Sequence, residues 1–253
     1  MSFLAKRIIY SKYFFKNEGK FSAAAAPIIL EYVKNFLKPV SVIDIGCGVG
    51  EWLKAYQNMG VKEILGIDGD YIKLDQIVIP KGNFIAKDIS KPISDIDRRF
   101  DLTISLEVAE HIESSKVNIY MDNITKFSDV VLFSAAIPFQ GGTHHVNEQW
   151  PSYWVELFKQ KGFIPVDCLR KIIWNLKDLP IHYRQNIMFF VKEQCIDRYH
   201  ILSEQVNLGV SNVLDLVHPE IYLKAGVICI MKRIVFLLSI LPSAIVSAIR
   251  RRL

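Results

Sequence analysis

Short apolar runs rich in β-branched residues alternate along this chain with longer segments in which apolar and polar positions recur at helical spacing. The short runs predict buried strands, as at residues 40–45 and 62–67, and the longer segments predict helices, as at residues 51–59. Alternating strands and helices predict an α/β fold with a mostly parallel sheet.

The same patterns place the remaining elements. The apolar run VVLFSAAIPF predicts a later strand and its exit. A helix is expected at residues 20–37, closing strands at residues 167–174 and 182–191, and further helix around residues 201–217 before a break at HPEIY.

Glycines at alternate positions follow the first predicted strand. Asp44 comes just before them, and Gly46, Gly48 and Gly50 occupy the turn into the helix. Glycine permits positive φ and close approach of the backbone to a ligand, and the next helix presents unpaired N–H groups. The dinucleotide motif GxGxxG is not matched, because Glu51 stands at its third glycine. An acid directly before the loop suits a cationic ligand, such as a sulfonium with an amino group, better than a pyrophosphate.

A second acid, Asp68, lies at the tip of the next predicted strand, followed by Gly69. An acid at this place can hydrogen-bond the two hydroxyls of a ribose, as in doubly wound nucleotide sites. The glycine loop and Asp68 together predict a site for a nucleoside cofactor.

With these motifs, residues 41–191 resemble the class I S-adenosylmethionine-dependent methyltransferases. The resemblance implies a Rossmann-like, doubly wound, mostly parallel seven-stranded sheet with an antiparallel final strand, here followed by a helical C-terminal extension. Asp88 with Ile89 resembles the pair that recognises adenine, with a solvated loop acid as the alternative for Asp88. The implied cofactor is S-adenosyl-L-methionine, and its implied contacts are Asp44, Gly46, Gly48, Gly50, Asp68, Gly69, Asp88, Ile89 and Glu107.

The segment SLEVAEHI places Glu107, Glu110 and His111 on one face of a helical turn. It resembles the ExxEH element of ubiquinone-pathway O-methyltransferases and small-RNA 2′-O-methyltransferases, which implies a magnesium-like metal held together with a later histidine, here His144. Oxygen ligands favour Mg²⁺ or Mn²⁺, and two imidazoles leave zinc or iron open. His145 is then the candidate catalytic base. A histidine that only packs or caps, without metal, is the alternative.

The segments THHVNEQWPSYW and YRQN, which are expected to face the methyl acceptor, resemble segments of small bacterial methyltransferases of surface-glycan biosynthesis. That resemblance implies O-methylation of a sugar on a nucleotide- or lipid-linked precursor, with glycosyltransferases or a second copy of the chain as candidate partners. Trp150 and Tyr153 are candidates for the acceptor pocket, and Arg184, Gln185 and Asn186 either face the acceptor or close a turn. Alternatives are O-methylation of a quinone or another lipophilic small molecule, and a non-catalytic cofactor-binding scaffold.

The net charge of +5 is unevenly distributed. Residues 1–20 hold five basic side chains and one acid, and residues 221–253 hold six basic side chains and no acid. The remaining residues carry 20 basic and 25 acidic side chains. An acidic body disfavours nucleic acid as a partner, and the basic ends are expected to meet an anionic surface.

Near the C-terminus, 16 uncharged residues, 234–249, lie between Lys232 and Arg233 on one side and three arginines on the other. A helix of this length reaches about 24 Å, less than the roughly 30 Å hydrocarbon core. We therefore expect a helix, kinked at Pro242, that lies on the membrane surface. A helix pair packed on the protein or on a second copy is the alternative.

Three regions are predicted: a basic segment and helix in residues 1–38, the methyltransferase domain in residues 39–195, and a helical extension with an apolar, arginine-terminated tail in residues 196–253. The four cysteines lack the spacing of a disulfide framework or zinc site, and the N-terminus lacks secretory features. We expect a cytoplasmic protein, peripheral on the inner face of the cytoplasmic membrane.

Overall fold

The computed structural model describes residues 12–208 and 213–240. The chain divides into two compact units, Met1–Leu216 and Val217–Leu253. The first unit contains a sheet with the strand order β3-β2-β1-β4-β5-β7-β6. Its strands are β1 (Ser41–Ile45), β2 (Glu63–Asp68), β3 (Phe84–Ala86), β4 (Leu102–Leu106), β5 (Val130–Ser134), β6 (Phe163–Val166) and β7 (Met188–Lys192).

The pairing of the strands confirms the predicted architecture. Strands β1 to β5 pair in parallel, whereas β7 runs antiparallel to both β5 and β6. The seven-stranded, mostly parallel, doubly wound sheet with an antiparallel final strand is therefore present.

The helices of the first unit are α1 (Lys12–Val33), α2 (Glu51–Asn58), α3 (Val117–Lys126), α4 (Pro151–Gln160), α5 (Leu169–Ile173), α6 (Ile181–Asn186) and α7 (His200–Asn207). The second unit contains α8 (Pro219–Ile240). Among the described residues, no helix combines the length and hydrophobicity that crossing a membrane requires. The predicted surface helix around Pro242 and the three terminal arginines extends beyond residue 240 and so lies partly outside the described residues.

The core of the first unit lies on both faces of the sheet. Val42 belongs to the cluster that α1 and α2 cover, and the adjacent Ile43 belongs to the cluster that α3 and α4 cover. This alternation follows from the two-residue period of a strand. Because both faces are covered, every residue of β1, β4 and β5 is buried, which explains why β1 and β5 are mostly apolar. In β4, the buried hydroxyls of Thr103 and Ser105 are hydrogen-bonded.

The prediction of a strand at residues 167–174 was wrong. The strand β6 ends at Val166, and helix α5 follows it. The helical turn brings Arg170 back to Asp167, so that Nε of the guanidinium donates to the buried carboxylate at 2.8 Å. Leu169 and Ile173 are then both buried, as residues four apart on a helix.

The closing strand predicted at residues 182–191 is also shorter than expected, because residues 182–186 belong to α6 and the strand begins at Met188. The guanidinium of Arg184 donates to the carbonyls of Leu179 and Trp174, which stabilises the turn around α6. Near the end of the first unit, helix α7 ends at Asn207, earlier than predicted. In the second unit, Pro219 begins α8 and does not mark a break, since proline is well tolerated in a first helical turn.

Candidate active site

A cavity of about 770 Å³ lies at the carboxyl ends of β1, β2 and β4. The order of the sheet reverses between β1 and β4, which is where open α/β sheets bind their ligands. All but one of the residues predicted for the cofactor, the metal and the catalytic base line this one cavity: Asp44, Gly46, Gly48, Asp68, Gly69, Asp88, Ile89, Glu107, Glu110, His111, His144 and His145. The exception is Gly50, which caps the start of α2.

The glycine loop has the backbone that its sequence predicts. Gly46, Gly48 and Gly50 all have positive φ, at 88°, 55° and 94°. A Cβ built on Gly46 would lie 2.6 Å from both methyl groups of Val108. The loop after β1 therefore approaches the loop after β4 so closely that only glycine fits at residue 46.

Asp68 lies where the prediction placed it, at the tip of β2. Its carboxylate accepts hydrogen bonds from the backbone N–H groups of Gly48 at 2.7 Å and Gly69 at 2.6 Å, and from the Tyr71 hydroxyl. Beside it, Asp44 is 3% exposed. Burial first, and the charge of Asp68 second, raise the pKa of the Asp44 carboxyl well above its usual range. A cationic ligand in this cavity would stabilise the ionised form of Asp44.

Side-chain hydrogen bonds fix the conformation of the segment after β3. Asp88 accepts hydrogen bonds from the N–H and the hydroxyl of Ser90, at 3.1 and 2.6 Å. The buried side chain of Asn123 donates to the carbonyl of Ile89 and accepts from the N–H of Ile93. This end of the cavity therefore offers an acid and the apolar side chain of Ile89, the pair expected to recognise adenine.

Glu107 follows β4 in a left-handed conformation, with φ of 55°. Its carboxylate accepts hydrogen bonds from the side-chain amides of Gln140 at 3.2 Å and Asn186 at 3.1 Å. Sequence patterns did not single out Gln140, because its partner lies 33 residues away. Of the predicted polar cluster at residues 184–186, Asn186 thus reaches the site, whereas Arg184 and Gln185 donate to backbone carbonyls.

A group of three side chains occupies the floor of the cavity. One ligand atom from each of Glu110, His111 and His145 lies within 4.8 Å of the other two. Glu110 is fully buried, and among the described residues neither of its carboxylate oxygens has a hydrogen-bond partner. Burial first, and the nearby Glu107 second, raise the pKa of Glu110 well above its usual range. Burial, followed by the influence of His145, lowers the pKa of His111 to about 4.

Both imidazoles are oriented through Nδ1. His111 Nδ1 lies 3.2 Å from the carbonyl of His144, and His145 Nδ1 lies 2.9 Å from Oε1 of Glu148. These acceptors place the proton on Nδ1, so that Nε2 of each neutral ring carries the lone pair. Metal-binding histidines have the same arrangement. One carboxylate and two neutral imidazoles form a set that a divalent ion can bind.

This group lacks two of the four expected metal ligands, Glu107 and His144, and contains His145, which was expected to be the base. His144, whose φ is 61°, directs its carbonyl toward His111, and His145 takes its place beside Glu110. Glu107 is bonded to the two amides and is not part of the group. The predicted helical turn does not form, because Glu107 is left-handed and only the residues Ala109–His111 form a short 3₁₀ turn. Whether a metal binds stays a prediction.

The predicted acceptor aromatics lie away from the cavity. Trp150 is 38% exposed, Tyr153 packs edge-on against Trp154, and neither lines the cavity. The cavity is lined instead by Trp52, whose indole N–H donates to the Tyr183 hydroxyl at 3.2 Å. That pairing joins α2 to α6 and has no signal in the local sequence.

Comparison with known proteins agrees with this geometry. A family model described as a methyltransferase domain matches residues 18–172. Among solved structures, a candidate O-methyltransferase from Nostoc punctiforme PCC 73102 superposes with a TM-score of 0.56 at 17% identity, covering 71% of this chain and 59% of that one. The plantazolicin methyltransferase BpumL, solved with SAH, gives 0.53 at 16% identity, covering 76% and 91%. No curated protein matches.

The family match covers more than half of the chain, and the likeness to solved structures, at these low identities, concerns the fold. The chain spans 59% of the length of the Nostoc protein. The strand order, the glycine loop and the matched family lead to one conclusion: this chain belongs to the class I S-adenosylmethionine-dependent methyltransferases.

Proposed function

We propose that this methyltransferase transfers the methyl group to a hydroxyl of a sugar in a nucleotide- or lipid-linked glycan precursor, with a divalent metal ion at the acceptor end. One observation supports oxygen as the atom that accepts the methyl group. The candidate metal ligands Glu110, His111 and His145 lie in the same cavity as the glycine loop. A metal ion beside the transferred methyl suits a hydroxyl acceptor, because it draws the oxygen into place and lowers its pKa.

The donor set fits such an ion. A fully buried carboxylate with two unpartnered oxygens is costly unless a cation or hydrogen-bond donors compensate it. Two imidazoles and one carboxylate suit Mn²⁺, Fe²⁺ or Zn²⁺ at least as well as Mg²⁺. We assign His145 to this group, in preference to the role of base, because its Nε2 lies 3.9 Å from Oε1 of Glu110.

The remaining residues position the reactants. Asp44 and the glycine loop hold the methionine end of the cofactor, and Asp68 holds its ribose. A sulfonium is intrinsically reactive, so alignment of the acceptor oxygen with the methyl group supplies much of the rate. Glu107, fixed by Gln140 and Asn186, places a second carboxylate at the same end of the cavity.

Mn²⁺ titration by calorimetry of the full chain tests the metal. We expect binding in the wild type, loss of binding in Glu110→Gln, and wild-type binding in Glu156→Gln, which removes an exposed charge on α4. S-adenosylmethionine affinity, measured in parallel, shows that the variants are folded. Absence of Mn²⁺, Zn²⁺ and Mg²⁺ binding in the wild type would contradict the proposal.

Labelled S-adenosylmethionine, incubated with the protein and bacterial membrane extract, tests the acceptor. We expect label in nucleotide sugars or lipid-linked glycans. Label in quinones would favour the alternative of a lipophilic small-molecule acceptor, and cofactor binding without turnover on any fraction would favour a scaffold for glycosyltransferases.

We also propose that the C-terminal unit binds an anionic membrane surface on the cytoplasmic side. Support comes from apolar side chains at helical spacing on α8 that are all at least 44% exposed, namely Leu223, Val227, Met231, Ile234 and Val235. Six basic and no acidic residues in 221–253 add charge complementarity. Sedimentation with phosphatidylglycerol vesicles, but not with phosphatidylcholine vesicles, is expected, and it should be lost when residues 232–253 are deleted.

A further inference from the structure

We infer that Glu148 is the positioning residue that holds His145 as a metal donor, an inference that rests on the proposed metal-dependent function. Glu148 is the last residue of the histidine loop, which we define as residues 139–148. Its carboxylate accepts three hydrogen bonds from this loop: from the N–H of Phe139 at 2.8 Å, from the N–H of Gly141 at 2.8 Å, and from Nδ1 of His145 at 2.9 Å.

These bonds stabilise a loop that is otherwise unfavourable. Phe139 and His144 have φ of 69° and 61°, in the left-handed region that side chains other than glycine and asparagine seldom adopt. The first N–H group that Glu148 binds belongs to Phe139 itself. On the other side, the N–H groups of Val146 and Asn147 donate to the carbonyl of Glu110. The loop is thus attached at one end to Glu148 and at the other to the backbone of Glu110.

The orientation of His145 follows from the chemistry of its partner. A carboxylate oxygen accepts the hydrogen bond from Nδ1, so Nδ1 carries a proton, and in the neutral ring Nε2, which lies 3.9 Å from Glu110, carries the lone pair. The ring also lies directly over Gly142, where a Cβ would come within 2.2 Å of Nε2. His145 is therefore held from two sides in the tautomer that binds a metal.

Glu148→Gln is the informative substitution, because it keeps the shape of the side chain. Glutamine has one accepting oxygen and one donating NH₂ group. It can satisfy Phe139, or the pair of Gly141 and His145, but not both. Loss of such a supporting partner typically weakens metal binding about 10- to 100-fold.

The test uses the full chain and two readouts. Calorimetric Mn²⁺ titration should show about 10- to 100-fold weaker binding in Glu148→Gln than in the wild type and in Glu156→Gln. Long-range ¹H–¹⁵N NMR spectra of the metal-free proteins should show His145 protonated on Nδ1 in the wild type, and a mixture of tautomers in Glu148→Gln. S-adenosylmethionine affinity should stay unchanged.

The outcomes separate this inference from the proposed function. Failure of the wild type to bind metal overturns the proposed function, while the tautomer comparison still tests Glu148. Wild-type metal affinity and tautomer in Glu148→Gln overturn the inference. Should that variant lose cofactor binding, Glu148→Ala, which removes the acceptor altogether, replaces it, and unchanged metal affinity and tautomer there count equally against Glu148.

Discussion

The carboxylate of Asp68 accepts a hydrogen bond from the backbone N–H of Gly48 at 2.7 Å. This bond joins the tip of β2 to the glycine loop after β1, so the residue expected to hold the ribose also shapes the loop expected to hold the methionine end. The two halves of the cofactor site therefore depend on one carboxylate.

Asp68→Asn should weaken S-adenosylmethionine binding about 10- to 100-fold. An amide cannot accept on both sides, so it loses the bond from Gly48 or Gly69, and hydrogen bonds to charged groups contribute about 1.5–3 kcal/mol. Calorimetric titration of the cofactor measures the effect. Asp70→Asn, a change at the exposed neighbouring acid, is the control and should bind as the wild type does. Equal affinities in the two variants would refute the role of Asp68.

S-adenosylmethionine affinity should rise with pH in the wild type and less so in Asp44→Asn. The pKa of Asp44 is raised by burial and by Asp68, and the cationic cofactor favours the ionised carboxylate. Binding at a pH below the raised pKa therefore requires loss of a proton. Titration at about pH 5 and about pH 8, in buffers of different ionisation enthalpy, measures this release. Identical pH profiles in both proteins would contradict a change in the ionisation of Asp44 on binding.

The contribution of Asp44 to the stability of the ligand-free protein should fall as the pH rises, opposite to its contribution to cofactor affinity. The pKa of Asp44 is higher in the folded protein than in the unfolded chain, so protonated Asp44 stabilises the fold. This contribution is complete at a pH below the pKa of the unfolded chain, and it is lost as the pH rises through the pKa of Asp44 in the folded protein. Asp44→Asn should thus raise the melting temperature more at about pH 8 than at about pH 5. Calorimetric melting curves of both proteins provide the measurement, and an equal gain at both pH values would contradict it.

Gly46→Ala should destabilise the protein more than Gly60→Ala. Both glycines have positive φ, at 88° and 96°, which costs about 1–2 kcal/mol for alanine. A Cβ at residue 60 meets nothing within 4 Å, whereas at residue 46 it meets Val108 at 2.6 Å. This overlap adds about 1–3 kcal/mol and displaces the cofactor loop. Urea unfolding gives the two free energies, and equal losses would argue against the close approach.

Arg170→Met should cost about 3–5 kcal/mol of unfolding free energy, because it removes the guanidinium that binds the buried carboxylate of Asp167. The double variant Asp167→Leu/Arg170→Met removes both charges and should recover most of the loss. Urea unfolding of the single and double variants forms the comparison. A double variant no more stable than Arg170→Met would show that packing around Arg170, and not the ion pair, carries the stability.

The sequence alone determined the fold class, the glycine loop and the acid at the tip of β2. These features are local: β1 and β5 are mostly apolar because both faces of the sheet are covered, and glycine is the residue that readily adopts the positive φ of the loop. Asp44 and Asp68 stand at strand ends, so their place at the cavity follows from strand direction. Local signals of this kind need no knowledge of distant contacts.

The tertiary structure decided which side chains meet at the acceptor end. The pairing of Glu107 with Asn186, and the choice of His145 over His144 beside Glu110, depend on segments far apart in sequence and on the left-handed turns at Glu107 and His144. A single left-handed residue reverses the direction of the following side chains, so helical spacing in SLEVAEHI could not predict the group. In α5 the reason is different: Asp167 and Arg170 lie three residues apart, and their buried ion pair forms on a helical turn and not on the expected strand.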